Sequence, residues 1–313
     1  MRVLVTGGAG FIGSSIVDAL LIDGGYQVRV IDNFATGHRD NLAHCAGDIE
    51  LVEGDIRDLE IVEDAMANVD MVLHQAALPS VPRSIRAPIT SNGVNIGGTL
   101  NLLSAAHKAE VKRVIMASSS SVYGDTPILP KVETMAPSPM SPYAVTKLTG
   151  EHYLSVFARL YGIETLAIRY FNVFGPRQDP NSMYSGVISK FMKAAIEQTK
   201  YTVNGDGSQA RDFSYIDNIV HANLLALKAE RLNGEVVNVA CGEKFTLLDL
   251  INEVNGAAQV DLPIEFSPSR PGDVKYSLAN IEAARELLGY SPTVAFAEGI
   301  KRTFEWYSHT NFS

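Results

Sequence analysis

Tyr143-Ala144-Val145-Thr146-Lys147 sets a phenol and an ammonium four residues apart, a spacing that places both on one face of a helix. A lysine so placed lowers a phenol's pKa electrostatically, which gives a general base able to work near neutral pH. By spacing alone such a pair is usually structural. What lifts this one is the run Ser118-Ser119-Ser120-Ser121 at the end of the preceding strand. In open α/β sheets ligands sit beyond the carboxyl ends of the strands, so a hydroxyl there can hydrogen-bond a reacting oxygen.

A second cluster is suited to holding a diphosphate. Gly7-Gly8-Ala9-Gly10-Phe11-Ile12-Gly13 follows a strand and opens a helix. Its glycines permit a tight turn and let a pyrophosphate approach the amides of the helix N-terminus. Asp32 lies 19 residues beyond Gly13, after the second strand, where a carboxylate accepts from an adenosine ribose and repels a 2′-phosphate. NAD is therefore expected rather than NADP. Asp55, after the third strand, is placed either to meet the adenine amino group or to serve as a loop or N-cap carboxylate.

These clusters need a scaffold, and the chain alternates short β-branched runs with amphipathic stretches of helical length. Strands are expected over Arg2–Thr6, Gln27–Ile31, Glu50–Glu53, Met71–His74, Val111–Ala117 and Glu164–Arg169. Helices are expected over Phe11–Ile22, Leu59–Ala67, Val94–Lys108 and Tyr143–Tyr161. That alternation predicts an α/β fold, a doubly wound parallel sheet of the Rossmann type. After Asn172 the segments shorten and glycine and proline become denser, which predicts a smaller C-terminal α/β substrate domain. Residues 1–171 and 212–240 are assigned to the dinucleotide domain, and 172–211 and 241–313 to the smaller one. Within the first, the helix Asp217–Glu230 and the strand Val236–Ala240 are expected to return to the main sheet.

The whole chain bounds what else it can be. Its 313 residues carry 35 acidic against 26 basic side chains, a formal charge of −9, with 46% apolar residues. That is enough for a sizeable core but offers no clustered cations for a nucleic acid or an anionic membrane. The two cysteines, Cys45 and Cys241, are at no metal-ligand spacing and read as packing residues. His74 and His152 read as core or surface histidines, and no metal is expected. With no apolar run of membrane-spanning length and a start that leads directly into a strand, a cytoplasmic protein is expected.

Together the motifs carry a resemblance. TGGAGFIG, Asp32, HQAA at His74–Ala77, ASSSSVYGD at Ala117–Asp125, SPYAVTK at Ser141–Lys147, RYFNVFGPRQ at Arg169–Gln178 and RDFSYIDN at Arg211–Asn218 resemble the extended short-chain dehydrogenases/reductases over essentially the whole chain. Within them the match is to the NAD-dependent UDP-sugar 4-epimerases. QAALPSVPRSI, NVFGPRQDP and NGDGSQARDF are most similar to bacterial epimerases of N-acetylated UDP-hexosamines.

The resemblance implies an isomerase. Tyr143 would take the proton from the sugar 4-hydroxyl while NAD+ accepts a hydride from carbon 4, giving a transient 4-keto sugar that turns over before the hydride returns. Ser119, with Ser120 nearby, would contact the sugar, and Lys147 would bind the nicotinamide ribose. The same resemblance places Gly7, Gly10, Phe11, Ile12, Gly13, Asp32, Asn33, Asp55, Ile56, Gln75, Ala76, Ala77, Asn95, Tyr143, Lys147 and Tyr170 on the cofactor. On the UDP-sugar it places Ser80, Arg83, Asn172 and Lys190, with Tyr201 and Val203 by the uracil, Arg211 and Arg270 on the diphosphate, and Asp273 on the uridine ribose. Ser277 stands where a bulky residue would restrict the site to plain hexoses and a small one admits an N-acetyl group.

Related 4,6-dehydratases carry an Asp-Glu pair at the positions of Ser120 and Ser121, and UDP-glucuronate decarboxylases usually a Glu at the second. Neither carboxylate is here, which favours oxidation and re-reduction at one carbon. The readings set against this are a UDP-glucuronate epimerase, a decarboxylase, and a non-catalytic NAD-sensing protein that keeps the glycine loop. A homodimer through a four-helix bundle of the Val94–Lys108 and Tyr143–Tyr161 helices is also implied.

Overall fold

The computed structural model describes residues 1–179, 186–268 and 276–310. From the N-terminus run β1 (Arg2–Thr6), α1 (Phe11–Asp23), β2 (Gln27–Asp32), α2 (Asp40–Ala43), β3 (Ile49–Glu53), α3 (Leu59–Ala65), β4 (Met71–His74), α4 (Val81–Arg86) and α5 (Pro88–Asn92). A π-helical turn (Gly93–Gly97) leads into α6 (Gly98–Lys108), then β5 (Arg113–Ser119), a 3-10 turn (Ser120–Tyr123), α7 (Pro142–Tyr161) and β6 (Glu164–Tyr170). Next come β7 (Val173–Phe174), α8 (Val187–Ile196), β8 (Tyr201–Asn204), β9 (Ala210–Arg211), β10 (Ser214–Tyr215), α9 (Ile216–Lys228) and β11 (Glu235–Val239). The last elements are β12 (Phe245–Thr246), α10 (Leu247–Ala258), β13 (Ile264–Ser267), α11 (Glu282–Leu288) and α12 (Phe296–His309).

Seven strands form one sheet in the order β11-β6-β5-β4-β1-β2-β3, with every pairing parallel. Strands buried on both faces alternate their apolar residues between two cores. Val3 and Val5 of β1, Ile115 and Ala117 of β5, and Leu166 and Ile168 of β6 join the core built with Ile16, Leu20, Ile219 and Leu227 of α1 and α9. Leu4, Val114, Met116 and Ala167 face the other way, onto Val62, Leu102, Leu103 and Leu154 of α3, α6 and α7. The sheet is thus wound on both sides, as the alternation predicted.

The order turns back between β1 and β4. The chain leaves β1 outward to β2 and β3, then crosses to β4 on the other flank, so the connections after β1 and β4 diverge. Such a switch point opens a crevice at the carboxyl edge. Two of the boundaries that differ from expectation bear on the site. Val111 closes α6 by donating its N–H to the Ala106 carbonyl, so β5 starts at Arg113 and carries Ser118 and Ser119 within it. The helix expected from Val94 begins as the π turn, a form often found at functional sites.

β11 pairs with β6 at the sheet edge. Beyond the sheet lie three two-stranded ribbons, β7/β10, β9/β12 and β8/β13, and Phe174, Tyr215 and Phe245 of the first two join an aromatic core in which Phe296 stacks on Phe213 and Phe245. Asp212 is fully buried there, and its carboxylate accepts from the amides of Cys241, Gly242 and Ala279. Desolvation raises it to about 7 against those three donors. Among the described residues no helix is long and apolar enough to cross a membrane.

Candidate active site

The crevice at the switch point is a cavity of about 730 Å³. One end is made of backbone. Gly7 sits at φ +68°, and a Cβ on it would meet the Ala76 backbone at 2.8 Å. A Cβ on Gly13 would lie 2.1 Å from the Gly7 carbonyl oxygen. Only glycine fits either place, and the result is a loop that lets a ligand reach the N-terminus of α1. Gly7, Gly10, Phe11, Ile12, Gly13, Asp32, Asn33, Asp55, Ile56, Gln75, Ala76 and Ala77 all line the cavity.

Asp32 accepts from the amides of Ala9 (2.9 Å) and Phe34 (2.8 Å), while burial raises its pKa. Asp55 is gripped by Arg57, through its amide, Nε and Nη2, and by Asn33 Nδ2 at 2.8 Å, which hold it at about 2. The cap of α3 is Asp58 instead, so the N-cap alternative for Asp55 is excluded. His74 is buried between Thr6 Oγ1 (2.7 Å at Nδ1) and Thr99 Oγ1 (2.9 Å at Nε2) and is pushed down to about 3, mainly by desolvation. Thr99 donates to the Asn95 carbonyl, so its oxygen accepts from Nε2–H and Thr6 donates to Nδ1. Thr6 in turn accepts from Ala76 N–H, fixing that strand end against the glycine loop.

At the other end side chains do the work. Ser141 caps α7, accepting from Ala144 N–H at 3.2 Å with Pro142 in the first turn, and so starts the helix one residue before Tyr143. Gly150 lets α7 press onto β5, since a Cβ there would lie 2.8 Å from Met116 Cε. That approach brings Lys147 Nζ to the Ala117 carbonyl at 2.8 Å. Nζ is 6.0 Å from the centre of the Tyr143 ring, and Tyr143 is hydrogen-bonded with Ser119. Tyr143, Lys147, Ala117, Ser118 and Tyr170 all line the cavity.

Four expectations change. Tyr143 is not acidified in this structure: desolvation pushes it up to about 12, the Ser119 hydrogen bond opposing. Lys147 is itself lowered to about 8 by burial, with Glu151 opposing. Asn95 does not reach the cavity wall; it is buried and bonds Leu78 N–H (2.8 Å) and Thr146 Oγ1 (3.0 Å), tying the segment after β4 to α7. Tyr201 and Val203 do not offer a surface for a base. Both are core residues of β8, at 0% and 1% exposure, with the Tyr201 hydroxyl bonded to Asn255.

Among the expected substrate residues, Ser80 and Arg83 line the cavity and Ser119 reaches it through Tyr143. Ser120, Asn172, Lys190, Arg211 and Ser277 are not part of its wall. Asn172 donates to the Asp212 carbonyl, Arg211 Nη1 to that of Ala210, and Ser277 N–H also to that of Ala210. Lys190 is exposed on α8. Arg270 and Asp273 lie outside the described residues.

The wall also contains groups the sequence reading passed over: Arg57, His38, Arg177, Gln178 and Asp179. Arg177 pairs with Asp18 of α1 at 2.8 Å. GPRQ was visible as a motif, but nothing local showed that its loop would fold over α1. Cys45 is buried, and its sulfur lies within 4.8 Å of ligand atoms of Asp18 and His44; Asp18 is already held by His44 and Arg177.

The profile of the NAD dependent epimerase/dehydratase family matches residues 3–240. The chain belongs to that family. It is 39% identical to the UDP-glucose 4-epimerase of Mycolicibacterium smegmatis, over 98% of each chain. Its structure superimposes with a TM-score of 0.93 and 39% identity on the UDP-N-acetylglucosamine 4-epimerase from Methanobrevibacter ruminantium, solved with UDP-N-acetylmuramic acid, covering 98% and 97% of the two chains. With the UDP-glucose 4-epimerase of Thermus thermophilus, solved with NAD, the TM-score is 0.91 at 38% identity, covering 99% and 100%. These matches bear out the resemblance read from the motifs. Like these relatives the chain is an enzyme, and its cofactor is NAD. The glycine cradle, which a Cβ would fill, fits a diphosphate, and Asp32 lines the cavity beside it, where a carboxylate could accept from an adenosine ribose.

Proposed function

We propose that the enzyme inverts carbon 4 of a UDP-hexose and accepts UDP-N-acetylglucosamine and UDP-N-acetylgalactosamine as well as UDP-glucose and UDP-galactose. The observation that carries this is the chemistry around Tyr143. The strand-end turn beside it carries serines at Ser119, Ser120 and Ser121 and no carboxylate, and the carboxylate beneath, Glu151, is committed to Ser118 and Arg169. Elimination or decarboxylation needs a further acid or base at that turn. A simple oxidation and re-reduction does not.

Bound NAD+ supplies a hydride acceptor that becomes the donor on the return. The protein's own part is proton traffic. The Tyr143 oxygen takes the proton of the sugar 4-hydroxyl and gives it back, Ser119 steadies that oxygen, and Lys147 contributes the cation that makes a phenolate tolerable in a buried site. Ser119, Tyr143 and Lys147 are the proposed catalytic residues, with Lys147 also on the cofactor ribose. Arg211, with Arg270 outside the described residues, is proposed for the substrate diphosphate, where a planar guanidinium suits paired oxygens. Ser277 is proposed as the small residue that admits an N-acetyl group.

The test is to incubate the protein with single UDP-sugars and follow products by proton NMR. Interconversion of gluco and galacto forms, N-acetylated ones included, supports the proposal. No conversion of any UDP-hexose even with added NAD+ would sink it, and carbon dioxide from UDP-glucuronate would move the enzyme to the decarboxylases. Ser277→Tyr should lose the N-acetylated substrates selectively; equal losses for both sugar classes would place the gate elsewhere.

We further propose a homodimer through α6 and α7. α7 leaves Val145 and Leu160 exposed at 46% and 71%, more apolar surface than a lone helix face needs. Sedimentation of the protein as a monomer at micromolar concentration would refute it.

A further inference from the structure

Beneath the reacting groups lies a buried ion network that the proton chemistry above does not use. Glu151 follows Lys147 by one turn of α7 and is 4% exposed; Arg169 of β6 is 3% exposed. Glu151 Oε1 accepts from Ser118 Oγ at 2.5 Å and from Arg169 Nε at 2.9 Å, and Oε2 accepts from Arg169 Nη2 at 2.7 Å. Arg169 also lies over the Tyr123 ring, 4.6 Å from its centroid. Ser118 is the residue before Ser119, and Ala117, whose carbonyl holds Lys147, is the residue before Ser118.

Resting on the proposed reaction, we propose that Glu151 is a positioning residue for it: its carboxylate keeps Lys147 charged and pins Ser118, so that Ser119 meets the phenol of Tyr143. The groups facing Lys147 are few. Tyr143 shares its helix, and the buried neutral imidazole of His74 comes from β4. Glu151 is the anion among them that raises Lys147 against its burial. Taking its charge away would leave Arg169 buried without its partner and Lys147 without the anion that offsets its burial, and an arginine does not give up its proton. Lys147 would discharge instead, and the phenol would lose its cation.

The experiment follows the ε-carbon of 13C-labelled lysine by NMR against pH, with Lys147 assigned by its absence in Lys147→Arg. In Glu151→Gln the Lys147 midpoint should fall by at least about one pH unit, and Glu151→Asp should bring it back towards wild type. The alkaline limb of kcat should move with it while KM for the UDP-sugar stays put, a split that mere loosening of the fold would not produce. Ser118→Ala keeps the ion pair and so the fold; kcat should drop about tenfold with the alkaline limb unmoved. Equal Lys147 midpoints in wild type and Glu151→Gln, or an unchanged kcat in Ser118→Ala, would overturn the assignment. The lysine titration needs no substrate, so a wild type that converts no UDP-hexose would defeat the proposed reaction while a shifted midpoint still supported Glu151.

Discussion

At the β1 end of the cleft the glycine loop presents backbone, shaped by missing side chains at Gly7 and Gly13, and the buried histidine behind it is neutral, His74 between two threonines. At the β5 end the surface is side chains, and what lies behind them is charged: Lys147, Glu151 and Arg169, all nearly enclosed. Backbone amides bind a diphosphate without desolvating any fixed charge. A proton-transfer site needs groups whose protonation is poised, and burial with a counter-charge is how a protein poises them. The difference predicts that damage at the first end shows as lost cofactor and lost stability, and damage at the second as lost turnover.

The sharpest break comes at the charged end. Tyr143→Phe removes one oxygen in contact with Ser119 and should lower kcat by about 10³-fold or more while the UDP-sugar Kd moves little. Turnover and calorimetric binding on the same preparation check it, and near-normal turnover would remove the phenol from the role of base. The counterpart at the backbone end is Gly13→Ala. Its Cβ would lie 2.1 Å from the Gly7 carbonyl oxygen, a contact that backbone cannot yield to cheaply. Stability should fall by about 1–3 kcal/mol, and NAD should be lost on gel filtration. Retention of both would show that the loop bends.

The neutral histidine offers a third test. His74 keeps its proton off down to about 3 in the fold, against 6.5 for an ordinary imidazole. A lowered histidine pKa means the unfolded chain takes up the proton first, so its stabilising contribution is complete above pH 6.5 and is lost as pH falls below it. Urea unfolding at pH 5 should therefore cost wild type about 2 kcal/mol relative to pH 7.5 that His74→Gln does not lose through this group. Parallel pH curves for the two proteins would assign the acid sensitivity in this window to another group, though not to Asp55, held at about 2, whose share is lost only below the ordinary carboxylate range.

How far the two ends could be read from residues alone follows the same division. The glycine loop, Asp32 and the Tyr143–Lys147 pair are local patterns, and the sheet followed from apolar runs that alternate between two cores. Glu151 was missed, although its spacing from Lys147 repeats that of Lys147 from Tyr143, because a glutamate at a helical stripe ordinarily marks a solvated face. Its partners Ser118 and Arg169 come from two other strands, a meeting that only the sheet order produces. Tyr201 and Val203 were misplaced for the opposite reason. Their alternation with Thr202 and Asn204 is the mark of a strand with one buried face, and the family resemblance outweighed it. The acidified phenol was also not found, since spacing reports the nearby lysine but not the burial that pushes the phenol up.

Asp32 sits between the two cases, and its test has the smallest expected effect. It is a charged side chain at the backbone end, with one oxygen on the Ala9 amide and the other on Phe34, so it both shapes the loops and faces the cavity. If it recognises the ribose, Asp32→Asn should remove the repulsion of a 2′-phosphate and cut the preference for NAD over NADP by about tenfold, near 1.4 kcal/mol. If it only folds the loops, the amide's nitrogen will face one of those N–H groups, and both cofactors will weaken together. Kd values for NAD and NADP measured side by side separate the two, because the ratio isolates recognition and the mean isolates loop shape. An unchanged ratio with weaker binding would make the β1 end a surface in which even the carboxylate serves the backbone.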